Sequence, residues 1–151
     1  MAQNFLRDAL SPSLVRMQLE SDTKEGVIRE LIDILDRAGL LSDRAEAERV
    51  VLEREDVMST GMEHGLAIPH GKTDTVDRLL VSMGLKPEGM DFDCMDGEPA
   101  RILLLTLSPA SSTGPHVRFM AEVSRLMSSG EVREQVLSAQ TPEDIVEVLT
   151  Q

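Results

Sequence analysis

The chain has 151 residues, a length that suits one domain with its own core. It carries 27 acidic and 15 basic residues, and the formal net charge of −12 would repel a phosphate backbone. Three phenylalanines, with no tryptophan or tyrosine, offer no aromatic platform for stacked bases. We therefore expect no nucleic-acid partner.

The chain also lacks the sequence signals of secretion and membrane insertion. Its first residues, MAQNFLRDAL, contain no long apolar core, and no apolar run approaches the roughly 20 residues that cross a bilayer. The single cysteine, Cys94, cannot form an internal disulfide, which suits a reducing compartment. We expect a soluble, cytoplasmic protein that does not insert into a membrane.

The predicted elements begin with a strand and two helices. Residues 12–19 (PSLVRMQL) favour a strand. A capping box that starts at Asp22 opens a helix, whose apolar residues recur at helical spacing until Gly39 ends it. A second helix is predicted to begin near Ser42 or Asp43. These two helices lead into the most distinctive stretch of the chain.

That stretch is STGMEHGLAIPHGK, residues 59–72, which contains two of the three histidines. Residues 66–68 read as a short strand, so His70 is expected where the backbone leaves the sheet. Gly71 lets another backbone or an anion approach closely, and Lys72 adds a positive charge. A histidine beside glycine and a cation suits a group that receives and surrenders a phosphoryl unit.

Two longer strands and a helix are predicted after His70. A strand over 79–85 is followed by a turn-rich segment, with a tight turn at Asp96–Gly97. Residues 101–107 are nearly all apolar, which predicts a central strand covered on both faces. A loop over 108–115 then leads to a helix with Pro115 in its first turn.

Two short helices finish the chain, one after Gly130 and one that opens at Thr141 and Pro142, with Asp144 at a capping position. There is no internal repeat and no linker. Helices first, strands in the middle and helices last predict an α/β fold. We expect a single domain over residues 1–151, with a mixed central β-sheet flanked by helices on both faces.

Two histidines are candidates for the functional site. His116 falls in the first turn of its predicted helix, where free amides and the helix dipole favour an anion. The same field disfavours a protonated ring, so we expect a neutral His116 that donates one hydrogen bond. The alternative role of His116 is an exposed residue at a helix start, and that of His70 is a polar residue at a turn.

Three further side chains are candidates for binding a phosphoryl group. The planar guanidinium of Arg54 matches phosphate oxygens, although it could instead pair with Glu53 or Glu55. Lys72 and the hydroxyl of Thr60 are candidate phosphate ligands. Their alternative roles are a surface charge and a cap of a helix end or turn.

STG followed by GLAIPHGK resembles the active-site signature of phosphotransferase-system enzyme IIA domains of the fructose, mannitol and nitrogen-regulatory class. The similarity extends over nearly the whole chain, including the segment DGEPARILLLTLSP. The resemblance implies that His70 accepts the phosphoryl group, that His116 lies beside it and that Arg54 completes the pocket. The chain would then be an enzyme IIA-like phosphoryl-relay domain of the phosphoenolpyruvate-dependent system.

The resemblance also implies the partners of such a relay. A histidine phosphocarrier protein would supply the phosphoryl group, which would then pass to a IIB-type cysteine or act as a signal to a regulatory target. The transfer would need neither magnesium nor another cofactor. The sequence departs from the family pattern at Met58, where glycine is common, and at His64, where asparagine is common. His64 could therefore bring an extra ionisable ring to the pocket.

Two alternatives from other classes of protein remain. One is a non-catalytic regulatory domain of the same fold. The other is a zinc hydrolase with His64, His70 and His116 as ligands, but the spacing matches no common ligand pattern and HExxH is missing, so we expect no metal. A chain without a IIB domain or a permease favours nitrogen-type regulation over sugar transport.

Overall fold

A mixed β-sheet forms the middle of the molecule in the computed structural model, which describes residues 5–150. Strands β4 and β5 are antiparallel neighbours at its centre, and β1 runs parallel to β4. Strands β2 and β3 follow one another along β5, and both run parallel to it. The bounds are β1 Val15–Arg16, β2 Leu66–Ala67, β3 His70–Lys72, β4 Leu80–Met90 and β5 Ala100–Ser108.

Helices cover both faces of this sheet. Helices α2 and α3 pack on one face, where the Ser82 hydroxyl of β4 donates to the Leu31 carbonyl of α2 at 2.8 Å. Because side chains alternate along a strand, Val81 and its partner Thr106 point to the opposite face, toward α4. The helices are α1 Phe5–Ala9, α2 Lys24–Arg37, α3 Arg44–Val57, α4 Gly114–Met127, α5 Gly130–Ser138 and α6 Pro142–Thr150.

This architecture confirms the predicted α/β class with a mixed sheet and helices on both faces. The prediction of a covered central strand is also confirmed, since residues 102–108 of β5 are all buried. Asp43 caps α3 as expected, because its carboxylate accepts from the Glu46 amide at 3.0 Å. The Asp96–Gly97 turn forms too, with the Gly97 amide donating to the Cys94 carbonyl.

Two predictions near the N-terminus were wrong. The strand expected over 12–19 is reduced to β1, because Pro12 opens a short 3-10 turn that occupies the first half of the segment. The cap of α2 is Thr23 rather than Asp22, and its hydroxyl accepts from the Gly26 amide at 3.1 Å. Asp22 instead pairs with the buried ammonium of Lys86 at 3.0 Å.

Strand β4 is longer than the sequence predicted. It continues into the first residues of the segment expected to be turn-rich and ends at Met90, with an irregular register between Leu85 and Met90. Pro87 falls within this irregular part, where a missing amide interrupts the ladder least. In the part of the chain that the structure describes, no helix is long and apolar enough to cross a membrane.

Candidate functional site

His70 lies at the junction of two short strands, β2 and β3, which both pair with β5. β2 ends at Ala67, and β3 begins at His70 and pairs it with Thr106 of β5. Between them the Pro69 carbonyl accepts from the Thr106 amide at 3.1 Å, so the backbone stays attached to β5 across the break. The short strand predicted before His70 therefore forms as β2, but His70 begins a second strand segment instead of leaving the sheet as predicted.

The imidazole of His70 is oriented by a backbone carbonyl. Its Nδ1 lies 2.9 Å from the Ile68 carbonyl oxygen. A carbonyl can only accept, so this contact requires the hydrogen on Nδ1. In the neutral ring, Nε2 is then left with its lone pair, which is the form that a nucleophile needs.

His116, on helix α4, lies against the His70 ring. Its position in the first turn of α4 brings the two ring centroids to 4.9 Å with an interplanar angle of 45°. The His116 side chain is buried, and its Nδ1 is among the buried side-chain atoms without a hydrogen-bond partner. The alternative of an exposed helix-start residue is therefore wrong for His116.

The environment favours the neutral form of both rings. Burial is the main cause that lowers the pKa of His70 below its ordinary value of 6.5, while its bond to Ile68 acts in the opposite direction. For His116, burial and then the neighbouring His70 lower the pKa to about 4. The expectation of a neutral His116 agrees with this value, although burial contributes most of the effect.

Two cations act on the imidazole pair. The charges of Arg54 and Lys72 lower the pKa of both His70 and His116. The Arg54 guanidinium is held by a bond to the Met58 carbonyl at 2.8 Å. The alternative ion pairs of Arg54 with Glu53 or Glu55 do not form, because Glu53 pairs with Arg49 and Glu55 pairs with Lys24. Both cations are therefore near enough to the two rings to act on them through their charge.

Thr60 has a different role from the one expected. Its side chain is buried, and its hydroxyl donates to the Glu55 carboxylate at 2.5 Å. A hydroxyl has one hydrogen, so in this arrangement Thr60 has none to offer a phosphoryl group. The expectation that the Thr60 hydroxyl binds phosphate is therefore corrected.

Glu55 is the site residue that sequence reasoning missed. It is 8% exposed, although it lies within the charged run EREDV at the end of α3. The signal that could have identified it is its spacing, because Ala47, Val51 and Glu55 recur at four-residue intervals and form the buried stripe of the helix.

His64 does not join the imidazole pair. Its ring is about half exposed and lies 3.9 Å from Glu63, and its backbone amide donates to Asp96. Residue 64 adopts a positive φ of 62°, a conformation that histidine, like asparagine, tolerates better than most residues. Within residues 5–150, no group of three or more His, Cys, Asp or Glu side chains could hold a metal ion, so the three histidines do not form a ligand set.

Gly71 allows the sheet and α3 to approach each other closely beside the site. A Cβ atom at this position would lie 2.7 Å from Cγ2 of Val50 and 3.1 Å from Cγ2 of Val51. Any larger residue would push α3 away from β3. The sequence had predicted such an approach by a backbone or an anion, and in the structure it is helix α3 that approaches.

Comparison with known proteins points to one family. Residues 8–151 match the family model described as "Phosphoenolpyruvate-dependent sugar phosphotransferase system, EIIA 2". A fructose-specific EIIA component of Haloferax volcanii is 37% identical over 138 residues, which are 91% of this chain and 90% of that protein.

A longer relative and a solved structure agree with this match. A fructose-specific EIIABC component of Bacillus subtilis is 32% identical over 97% of this chain, which spans only 23% of that protein. The crystal structure of the nitrogen regulatory protein IIA-Ntr of Neisseria meningitidis superposes with a TM-score of 0.89 at 26% identity, covering 97% of this chain and 99% of that one.

Proposed function

The chain belongs to the EIIA 2 family of the phosphoenolpyruvate-dependent sugar phosphotransferase system, and we propose that it carries a phosphoryl group on Nε2 of His70. Proteins of this family are components of that phosphotransferase system. The observation that carries the proposal is the bond from Nδ1 of His70 to the Ile68 carbonyl. It leaves Nε2 as the free nucleophile, beside His116 and within the field of two cations.

The proposed reaction is a transfer between two imidazoles. The donor is a histidine phosphocarrier protein, and the lone pair of His70 Nε2 attacks the phosphorus of its phosphohistidine. A new N–P bond forms at His70 while the donor's N–P bond breaks, and the donor imidazole keeps that electron pair. Nδ1–H of His70 stays bonded to Ile68 throughout, so the ring does not need to turn.

His116, Arg54 and Lys72 would stabilise the transferred group. Transfers of this kind depend on positioning and on neutralising the charge of the phosphoryl oxygens. A neutral His116 has one N–H to donate, and the two cations already act on both rings. Arg54 would exchange its bond to Met58 for phosphoryl oxygens when the group arrives.

The partners would dock on an exposed apolar rim next to the histidines. Val57 and Met58, just before the STG segment, are 82% and 68% exposed, and Val117, next to His116, is 60% exposed. Exposed apolar side chains mark a protein-binding surface when they form a contiguous patch, and the proposal is that these three side chains form one. The departure from glycine at Met58 adds to this rim.

The receiving partner is either a IIB-type cysteine or a regulatory target. The relatives carry both kinds of name, since those from Haloferax and Bacillus are fructose-specific components and others are nitrogen regulatory proteins. The Bacillus name joins A, B and C parts, which supports a IIB partner. The preference for nitrogen-type regulation stays a prediction.

The proposal is tested by incubating the full chain with phosphoenolpyruvate, enzyme I and a histidine phosphocarrier protein, followed by intact mass spectrometry. We expect the mass of one acid-labile phosphoryl group on the wild type and none on His70→Ala. His64→Ala serves as the control and should be labelled like the wild type, because His64 lies apart from the imidazole pair. Wild-type labelling of His70→Ala would overturn the proposal.

A further inference from the structure

Glu55 connects α3 to the segment that supports His70. Its carboxylate accepts two donors of Thr60, the backbone amide at 3.1 and 3.2 Å and the hydroxyl at 2.5 Å. Both Glu55 and Thr60 are buried, so water does not compete freely for these bonds. The carboxylate therefore fixes the position of the Thr60 backbone.

A line of hydrogen bonds continues from Thr60 to the imidazole. The Thr60 carbonyl accepts from the Ile68 amide at 3.1 Å, and the Ile68 carbonyl accepts from Nδ1 of His70 at 2.9 Å. The two ends of this line are the Glu55 carboxylate and the ring nitrogen that has to keep its hydrogen. We propose that Glu55 is a positioning residue that, through Thr60 and Ile68, holds His70 in its Nδ1–H tautomer.

The carboxylate is itself held in place from the other side. Lys24 of α2 bonds Glu55 at 3.0 Å and Asp93 at 2.9 Å, and its ammonium lies 5.1 Å from the centre of the Phe92 ring. The Ser59 hydroxyl donates to the Phe92 carbonyl at 2.7 Å, which fixes the same segment one residue earlier. Glu55 is therefore the point where α2, α3 and the 91–93 segment meet the STG backbone.

The consequence for the reaction rests on the proposed function of His70. If the Ile68 carbonyl moves away, Nδ1 loses its acceptor and the hydrogen can transfer to Nε2. A ring with its hydrogen on Nε2 has no lone pair there to attack phosphorus. Glu55 would thus control the fraction of molecules with a competent nucleophile, without touching the phosphoryl group.

The test uses the full chain with ¹⁵N-labelled histidine. Long-range ¹H–¹⁵N spectra of the unphosphorylated protein report which ring nitrogen of His70 carries the hydrogen. We expect the Nδ1–H form alone in the wild type and a mixture of both forms in Glu55→Ala. The initial rate of phosphoryl acceptance should fall about tenfold in this variant, the effect of one lost hydrogen bond, while KM for the phosphocarrier stays unchanged.

Two further variants separate positioning from general stability. Glu55→Gln keeps the shape and a weaker acceptor, so it should fold and show a smaller shift toward the mixture; it decides the question if Glu55→Ala does not fold. Glu30→Gln is the matched control, because the Glu30 carboxylate likewise accepts two backbone amides, those of Glu20 and Ser21. It should lower the unfolding midpoint and leave the tautomer of His70 unchanged.

A folded Glu55 variant in which His70 keeps the Nδ1–H form alone would overturn the inference. An equal shift of the tautomer in Glu30→Gln would also overturn it, since the effect would then follow stability. The tautomer is read before any phosphoryl transfer. If the wild type fails to accept a phosphoryl group, that result would count against the proposed function. The tautomer measurement would still test the role of Glu55.

Discussion

Under the proposed function, the protonation state of His70 sets the pH range in which it accepts a phosphoryl group. Burial lowers its pKa, and the positive charges of Arg54 and Lys72 lower it further, while Glu55 raises it. A lowered pKa means that the ring is still neutral at pH values where an ordinary imidazole is protonated. Acceptance should therefore persist below pH 6.5 and be lost only as the pH falls through the lowered value.

We predict that Arg54→Met raises the pKa of both His70 and His116. The reason is that a cation disfavours a protonated ring, so its removal makes protonation easier. The measurement is a titration of the histidine ring protons by NMR. Arg78→Met, a change of an exposed arginine paired with Asp77, serves as the control and should leave both titrations unchanged. An unchanged or lower pKa in Arg54→Met would contradict the placement of Arg54 at the site.

We predict that His116→Ala still accepts a phosphoryl group, but more slowly than the wild type, and passes it on poorly. The nucleophile and its bond to Ile68 remain, so the variant should still be labelled, but it lacks one hydrogen-bond donor for the phosphoryl oxygens. Such a bond to a charged group is worth roughly 1.5–3 kcal/mol, which corresponds to about tenfold to a hundredfold in rate. Rapid-quench measurements in each direction give both rates, and wild-type values for both would remove His116 from the mechanism.

The end of α3 and the first turn of α4 border the site, and their exposed side chains form the apolar rim. Val57 and Met58 lie at the end of α3, and Val117 lies in the first turn of α4. These helix ends therefore carry Arg54 and the buried His116 as well as exposed apolar side chains. Under the proposed function, partner docking would depend on these helix ends, whereas phosphoryl transfer would depend on the two imidazoles and the cations near them.

We predict that Val117→Asp raises KM for the phosphocarrier about tenfold or more and leaves kcat within about twofold. A charge in an apolar contact has to be desolvated when the partner docks, which weakens binding without changing the buried site. Steady-state kinetics with the phosphocarrier as the varied substrate give both constants. Gln135→Glu on α5 adds the same charge elsewhere and should change neither. A fall in kcat at constant KM would show that Val117 acts on the chemistry instead.

The stability of the whole molecule should decrease on mild acidification before its ion pairs are lost. The pKa of His116 is about 4 in the folded state and returns to 6.5 on unfolding, so between these values the unfolded chain binds the extra proton. Stability is therefore full above pH 6.5 and declines toward pH 4, by at most about 3 kcal/mol for this group. The pKa of Asp33, lowered chiefly by Arg44, adds a loss at still lower pH.

His116→Gln tests this prediction, because it removes the titrating group. Urea denaturation at pH 7 and pH 4.5 should show a smaller decrease in the free energy of unfolding for the variant than for the wild type. Equal decreases for the two proteins would mean that the buried imidazole does not contribute to the acid sensitivity of the fold.

The sequence was most informative where short motifs and apolar periodicity decide the structure. The β5 run and the IPHG motif located the centre of the sheet and His70, and the position of His116 after Pro115 located its partner ring. The features that the sequence did not predict depend on contacts between side chains of different segments. Thr23 caps α2 while Asp22 pairs with Lys86, far along the chain, and Thr60 was misassigned because its hydroxyl donates to Glu55.

The central claim is that Nε2 of His70 carries the phosphoryl group, and it is tested most directly by locating that group on the protein. The chain has three histidines, so ¹⁵N-labelled rings can be resolved one by one before and after phosphorylation. We expect the phosphorus-bound nitrogen to be Nε2 of His70, with Nδ1 still protonated and the rings of His64 and His116 unmodified. A phosphoryl group on Nδ1 of His70, or on either of the other two histidines, would contradict the account.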